Sequence, residues 1–462
     1  MSGEPERRPC PTIPSVRQSG SPECAIAEAV KEPYHIALVG CGTVGSGVAK
    51  LLLEQPGRLA ARAGRPLVLR RVVVRDLSKP RPGVPRELIT TDLRQVLKDP
   101  EVHVAVELVG GTGWARQAVL DLLAAGKDVV TANKALLALH GGEVFDKARR
   151  HNRAVAFEAS VAGGVPIIAA LSQGLAGNQI TALQGILNGT CNFILTRMTE
   201  SGTSYAEALQ EAQQRGLAEA DPTLDVDGTD AVHKLAILAQ IAFGMTIPFD
   251  AIQRRGIASI DALDIRYARE LGYTIKLLAE TWLGDNQLAL HVSPVLLRHN
   301  APLALVRGAY NAIHVFGDVV GDTLYYGRGA GQMPTASAVV ADLIDMAVGR
   351  AQRTFHTLRL WSGGGTTLQL RPPGTVRSRF YLRMFVEDRP GVLADVARVL
   401  AEHQISIASV IQHEVPDEEE GQRVQLVVMT HTAASGSFRD AVAQIDRLAF
   451  LSGPSVYYPV AD

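Results

Sequence analysis

The chain has 462 residues, 47% hydrophobic and 20% charged, with a formal net charge of −1. Such a length exceeds one core and predicts two or three domains. The near-neutral balance gives no case for a nucleic-acid or anionic-membrane partner, and no apolar run reaches the ~18–20 residues that span a bilayer.

Four cysteines (Cys10, Cys24, Cys41 and Cys191) form no CxxC pair, so neither a zinc site nor a disulfide framework is expected and the cytoplasm is the default location. Residues 1–33 are rich in Pro, Ser, Gly and charge and lack the apolar core of a signal peptide. They read as a disordered leader.

The first ordered segment, "YHIALVGCGTVGSGVAKLLLEQ", sets an apolar strand before Gly40, Gly42 and Gly45 and a helix after them. In that context G-x-G-x-x-G is a dinucleotide turn: the glycines allow a pyrophosphate to approach the helix N-terminus. Strand-like "LVLRRVVVRD", "VHVAVELVGG", "DVVTANK" and "AVAFEAS" follow, separated by helices near 92–98 and 114–125 and after Lys134. Such βα alternation predicts a doubly wound, Rossmann-type parallel sheet over 34–160. The second strand ends in Arg75-Asp76, which leaves NAD and NADP open, with NADP preferred through Arg75.

Beyond 160 the alternation breaks. A helix "PIIAALSQGLAG", a strand "ITALQGILNG", further helices, and strands near 273–281, 287–298, 311–318 and 323–327 predict an α+β substrate and dimerisation domain over 161–333. A helix near 334–350 is expected to return to the nucleotide domain. Gly/Pro-rich 353–378 reads as a linker. Residues 379–462 follow a βαββαβ order, a ferredoxin-like unit.

Only nine of the 46 basic residues are lysine, so each lysine raises the question of whether an ammonium able to lose its proton is needed. In "EADPTLDVDGTDAVHK" (219–234), Asp230, Lys234, Ile237, Leu238 and Ile241 share one helical face, which puts Lys234 on an apolar stripe. A buried lysine beside a carboxylate can exchange a proton with substrate. Asp227 fits the helix N-cap, with Asp230 as its capping-box partner. Lys134 follows a parallel strand at the edge where ligands of such sheets bind. Glu158, followed by a Gly-containing loop, could offer a hard cation a carboxylate and carbonyls. Cys191, at a helix start after Asn188-Gly189-Thr190, admits an alternative: an acylating semialdehyde dehydrogenase with a thiolate nucleophile. A non-catalytic amino-acid sensor is the other.

Taken together, "GCGTVG", "TANK", "FEASVAGGVPI", "GILNGTCNFIL", "EADPTLDVDGTDAVHK" and "GRGAGQMPTASAV" resemble homoserine dehydrogenase in order and spacing. The tail "VEDRPGVLADVARVLAEHQISIASV" is similar to an ACT domain. The resemblance implies NAD(P)H-dependent interconversion of L-aspartate 4-semialdehyde and L-homoserine, a step of threonine, methionine and isoleucine biosynthesis. It implies Lys234 as proton donor, with Asp230 and Lys134 beside it, and Glu219, Asp225, Gly189 and Thr190 as substrate contacts. Cofactor contacts would be Gly40, Gly42, Thr43, Val44, Gly45, Arg75, Lys134 and Gly331. A monovalent cation, sodium or potassium, would sit on Glu158 and the carbonyls of Val161, Gly163 and Val165. An amino-acid effector such as threonine would meet Asp388, Pro390, Gly391, Val392 and Leu393, in a homodimer or homotetramer.

Overall fold

Six strands pair in parallel in the order β3-β2-β1-β4-β5-β6: β1 (Tyr34–Val39), β2 (Leu67–Val73), β3 (Ile89–Thr90), β4 (Val102–Glu107), β5 (Asp128–Thr131) and β6 (Val155–Ala156). The computed structural model describes residues 32–362, 367–413 and 423–461; most of the leader therefore lies outside the described residues. Ile36, Leu38, Val104 and Val106 are fully buried, as helices covering both faces of a parallel sheet require. This is a Rossmann-type order, and it brings the ends of β1, β4 and β5 to one edge. The helix Gln332–Val348 docks on the helix Thr43–Glu54, where Gly47 allows the approach: a Cβ there would lie 3.0 Å from that of Ala336.

A second sheet is mixed. Gly321–Arg328, Tyr310–Gly317, Ile180–Ile186, Tyr273–Gly284 and Gln287–Arg298 run antiparallel in that order. The sheet then continues without a break into the C-terminal unit, because Leu296 and Leu297 pair in parallel with Val460 and Ala461. That unit has the βαββαβ sequence Arg377–Glu387, Val392–Glu402, Ile407–Gln412, Arg423–Thr430, Ser435–Ile445 and Val456–Ala461, and a separate core around Leu382, Val396, Leu426 and Phe438. Among the described residues no helix is long and apolar enough to cross a membrane.

Several local expectations are corrected. The strand expected over "AVAFEAS" is shorter: β6 stops at Ala156 and Glu158–Ser160 form a 3₁₀ turn. The expected helix from Pro166 winds as α only over Ile167–Ala169, then as a π turn to Gly174. Part of the stretch read as linker is the helix Arg350–Leu358, and Phe355 and Trp361 pack on Phe145. These aromatic contacts tie down a segment whose local composition reads as loop.

Candidate active site

The helix Thr229–Phe243 begins one residue later than its acidic loop suggests. Gly228, at φ 88°, is the N-cap, a left-handed position that suits glycine. Asp227 instead accepts from the amide and hydroxyl of Thr229 at 2.8 and 2.9 Å. Asp230 is thus no capping-box partner. Its carboxylate turns inward, 5% exposed, and bridges two ammonium groups: Oδ1 meets Lys134 Nζ at 2.6 Å and Oδ2 meets Lys234 Nζ at 2.7 Å. Lys234, 9% exposed, also donates to the Leu187 carbonyl at 2.7 Å. That carbonyl is held from the other side by Asn311 Nδ2 at 2.8 Å.

The two lysines differ in environment, and their basicities separate. Burial pushes Lys234 below the usual lysine range, the nearby Asp230 opposing and Lys134 adding to the depression. Burial also acts on Lys134, but Asp230, Asp225 and Glu219 together hold it above its ordinary value. Asp230 stays ionised despite burial because both lysines face it, and its carboxyl is held well below the usual range. One ammonium is therefore poised to lose a proton and the other to remain charged.

Lys134 is placed by a buried chain that sequence reading missed. Glu107, ending β4, accepts from the amides of Val109 and Gly110 and from Thr131 Oγ1. Thr131 Oγ1 accepts from Asn133 N, and Asn133 caps the helix Lys134–Arg150 through Leu136 N. Glu107 is acidic, fully buried and at the carboxyl end of a central strand; "AVELVGG" carried that signal.

On the acidic loop before the helix Thr229–Phe243, Asp225 is half-buried, and its carboxyl is pushed up by burial and by Asp230 against a hydrogen bond from Asn188. Glu219 is exposed on the same loop. Gly189 sits against the Ala309 carbonyl, where a Cβ would come within 2.9 Å, and Thr190 Oγ1 donates to Leu217 O at 2.8 Å. Cys191 does not fit the nucleophile alternative. It is fully buried, its thiol donates to the Asp225 carbonyl, and burial with the Asp225 charge pushes it well above the ordinary thiol range.

The glycine turn is shaped for a diphosphate. Gly40, at φ 98°, lies against Leu108, and a Cβ on Gly45 would come 2.3 Å from the Gly40 carbonyl, whereas Gly42 faces open space. Thr43 and Val44 open the helix behind it. Gly331, at φ 117°, starts the helix packed on that one. After β2, Arg75 is exposed, while Asp76 spends Oδ1 on the amide and hydroxyl of Ser78.

Glu158 is buried, and burial pushes its carboxyl up to about 7 although the amides of Ile168 and Ala169 donate to it at 3.0 and 2.8 Å. Asp342, a second buried acid, accepts from Glu158 N at 2.9 Å. A carboxylate in that setting fits a cation that would offset its burial. Among the described residues no group of three or more His, Cys, Asp or Glu side chains could hold a metal, so any cation here would depend on backbone carbonyls. In the C-terminal unit, Asp388, Pro390 and Gly391 are exposed, Val392 is buried and Leu393 is 42% exposed.

Family models for the homoserine dehydrogenase NAD-binding domain, for homoserine dehydrogenase and for the ACT domain match residues 40–158, 166–344 and 380–450. A homoserine dehydrogenase of Neisseria gonorrhoeae is 42% identical over 92% of this chain and 97% of its own. The chain belongs to the homoserine dehydrogenase family. The family is one of oxidoreductases, and its fold is shared here at length: a Thiobacillus denitrificans homoserine dehydrogenase superposes with a TM-score of 0.87 at 42% identity, over 93% of this chain and 99% of that one. A hyperthermophilic archaeal homoserine dehydrogenase mutant, solved in complex with NADPH, covers 69% of this chain and 98% of its own at a TM-score of 0.59 and 26% identity. Asp230 and Lys234 lie in the matched catalytic region, and Lys134 and the glycine turn in the matched nucleotide region.

Proposed function

We propose that this homoserine dehydrogenase reduces L-aspartate 4-semialdehyde to L-homoserine with NADPH, reversibly, for threonine, methionine and isoleucine synthesis in the cytoplasm. The observation that carries the reading is the single buried carboxylate of Asp230 shared by Lys134 and Lys234. Bound NADPH would supply a hydride to the aldehyde carbon. Lys234, the less basic ammonium, gives its proton to the alkoxide oxygen; Lys134 remains charged and stabilises that oxygen as charge develops. Asp230 holds both amines, and the acidic wall of Glu219 and Asp225 suits the substrate ammonium, with Gly189 and Thr190 framing the other side.

The open space at Gly42 fits the pyrophosphate, with Gly40, Thr43, Val44, Gly45 and Gly331 around it. Arg75 favours NADP over NAD because its guanidinium is free to face solvent while Asp76 is engaged with Ser78. Glu158 and the carbonyls of Val161, Gly163 and Val165 would hold a sodium or potassium ion. An amino acid, threonine first among candidates, would bind the 388–393 loop in a homodimer or homotetramer and shift the active-site population. Steady-state oxidation of homoserine with each cofactor tests the reading. Lys234→Ala is expected to lower kcat about 10²-fold with NADP affinity retained; full activity in that variant defeats the assignment.

A further inference from the structure

Asp225 and Asp230 converge in a confined space, and like charges so placed should repel. Between them lies Asn188, 4% exposed. Its Nδ2 donates to Asp225 Oδ1 and to Asp230 Oδ2, each at 2.8 Å. A carboxamide nitrogen has two hydrogens, so each acid receives one. The orientation is fixed independently: Asn188 is the N-cap of the helix Gly189–Ser201, and its Oδ1 accepts from Cys191 N at 2.8 Å. A flipped amide would turn its oxygen toward two carboxylates and leave the helix uncapped. The clamp adds donors without adding charge, so the two lysines and two aspartates remain electrically balanced.

We infer that Asn188 is a positioning residue for the reaction: it clamps Asp225 onto Asp230 so that Asp225 presents an ionised face to the substrate ammonium while Asp230 stays aligned with both lysines. This goes beyond the proposed roles of Lys234 and Asp225 but rests on them. Asp225 also feels Lys134 and Lys234, and Asp227 and Glu219 share its loop. None of these supplies a second neutral donor to it.

Capping and clamping can be separated. Asn188→Ser and Asn188→Thr keep an oxygen able to cap but lose the pair of donors. Either variant should hold its Tm within a few degrees and keep the NADP Kd of the parent. Its KM for homoserine should rise about tenfold, and the acid limb of kcat/KM should move to higher pH, because an unclamped Asp225 keeps its proton longer. Added to Asp225→Asn, either substitution should raise KM little further, since both act through one contact. An unmoved acid limb and KM in a folded variant overturn the inference, as does full additivity with Asp225→Asn. If Lys234→Ala is inactive while both Asn188 variants behave like the parent, only the clamp fails. If Lys234→Ala keeps its activity, the underlying reading fails.

Discussion

Asp230 answers to two cations at once, and this sharing, rather than the presence of a lysine, sets the chemistry. Replacing it by Asn leaves two ammonium groups close together without the carboxylate that both contact, so the more buried one, Lys234, should lose its proton more readily. The expected outcome for Asp230→Asn is a kcat for semialdehyde reduction about 10²-fold lower, with the alkaline limb of the pH profile displaced to lower pH; an unmoved limb would count against Lys234 as the acid. The same carboxyl bears on stability. Its folded pKa lies below the unfolded value, so it contributes stability above ordinary carboxylate pH, and that stability is lost as pH falls through its folded value. The scarcity of lysine pointed to Lys134 and Lys234, but two other buried lysines show the limit of that signal. Lys127 donates to Asp99 O and Lys276 to Asn192 and Val306 O, and burial pushes Lys276 down to about 8. Both hold backbone carbonyls, which no spacing rule separates from catalysis.

At the scale of elements, the glycine turn was legible because a tight backbone approach leaves a fixed spacing in the sequence. The three glycines nevertheless have different tasks, and only coordinates separate them. Gly45→Ala forces a Cβ to 2.3 Å from the Gly40 carbonyl, so both Tm and NADP affinity should fall. Gly42→Ala meets nothing within 4 Å and should leave Tm unchanged while weakening NADP binding about tenfold or more. Thermal denaturation and a fluorescence titration on both variants check this; equal losses of Tm would show that Gly42 is structural. What stayed hidden followed from contacts distant in sequence. The helical rather than linker character of 353–358 depends on aromatic packing with Phe145. Glu107 and Asn188 act through partners 24 and 42 residues away. The βα alternation and the βαββαβ order were readable because each recurs locally.

At the scale of the whole molecule, the C-terminal unit is joined to the catalytic part by more than a shared sheet. Asp264, fully buried on the helix Ala262–Glu270, takes Arg383 Nε and Nη2 at 2.6 and 3.0 Å and the hydroxyl of Tyr381 at 3.1 Å. Arg383 and Tyr381 lie on the first strand of the ACT unit. Nearby, Arg255 donates to Tyr457 O at 2.5 Å and stacks over Tyr457 and Tyr458. The next residue, Gly256, fits so closely that a Cβ would sit 2.0 Å from the carbonyl of Val226, and Ile257 N donates to that same carbonyl. Val226 directly follows Asp225, so a displacement of the ACT unit would press on the acidic loop through packed atoms. Removing one member of such a buried pair leaves a charge without its partner, at a cost of about 3–5 kcal/mol. Arg383→Met keeps the stem and deletes the fork, so urea unfolding should show a stability loss of that order. If the ion pair also joins the two units into one cooperative transition, the variant should unfold in two steps, with the ACT unit separating from the dehydrogenase; a single transition at the parent midpoint would show that the shared strands alone hold them together.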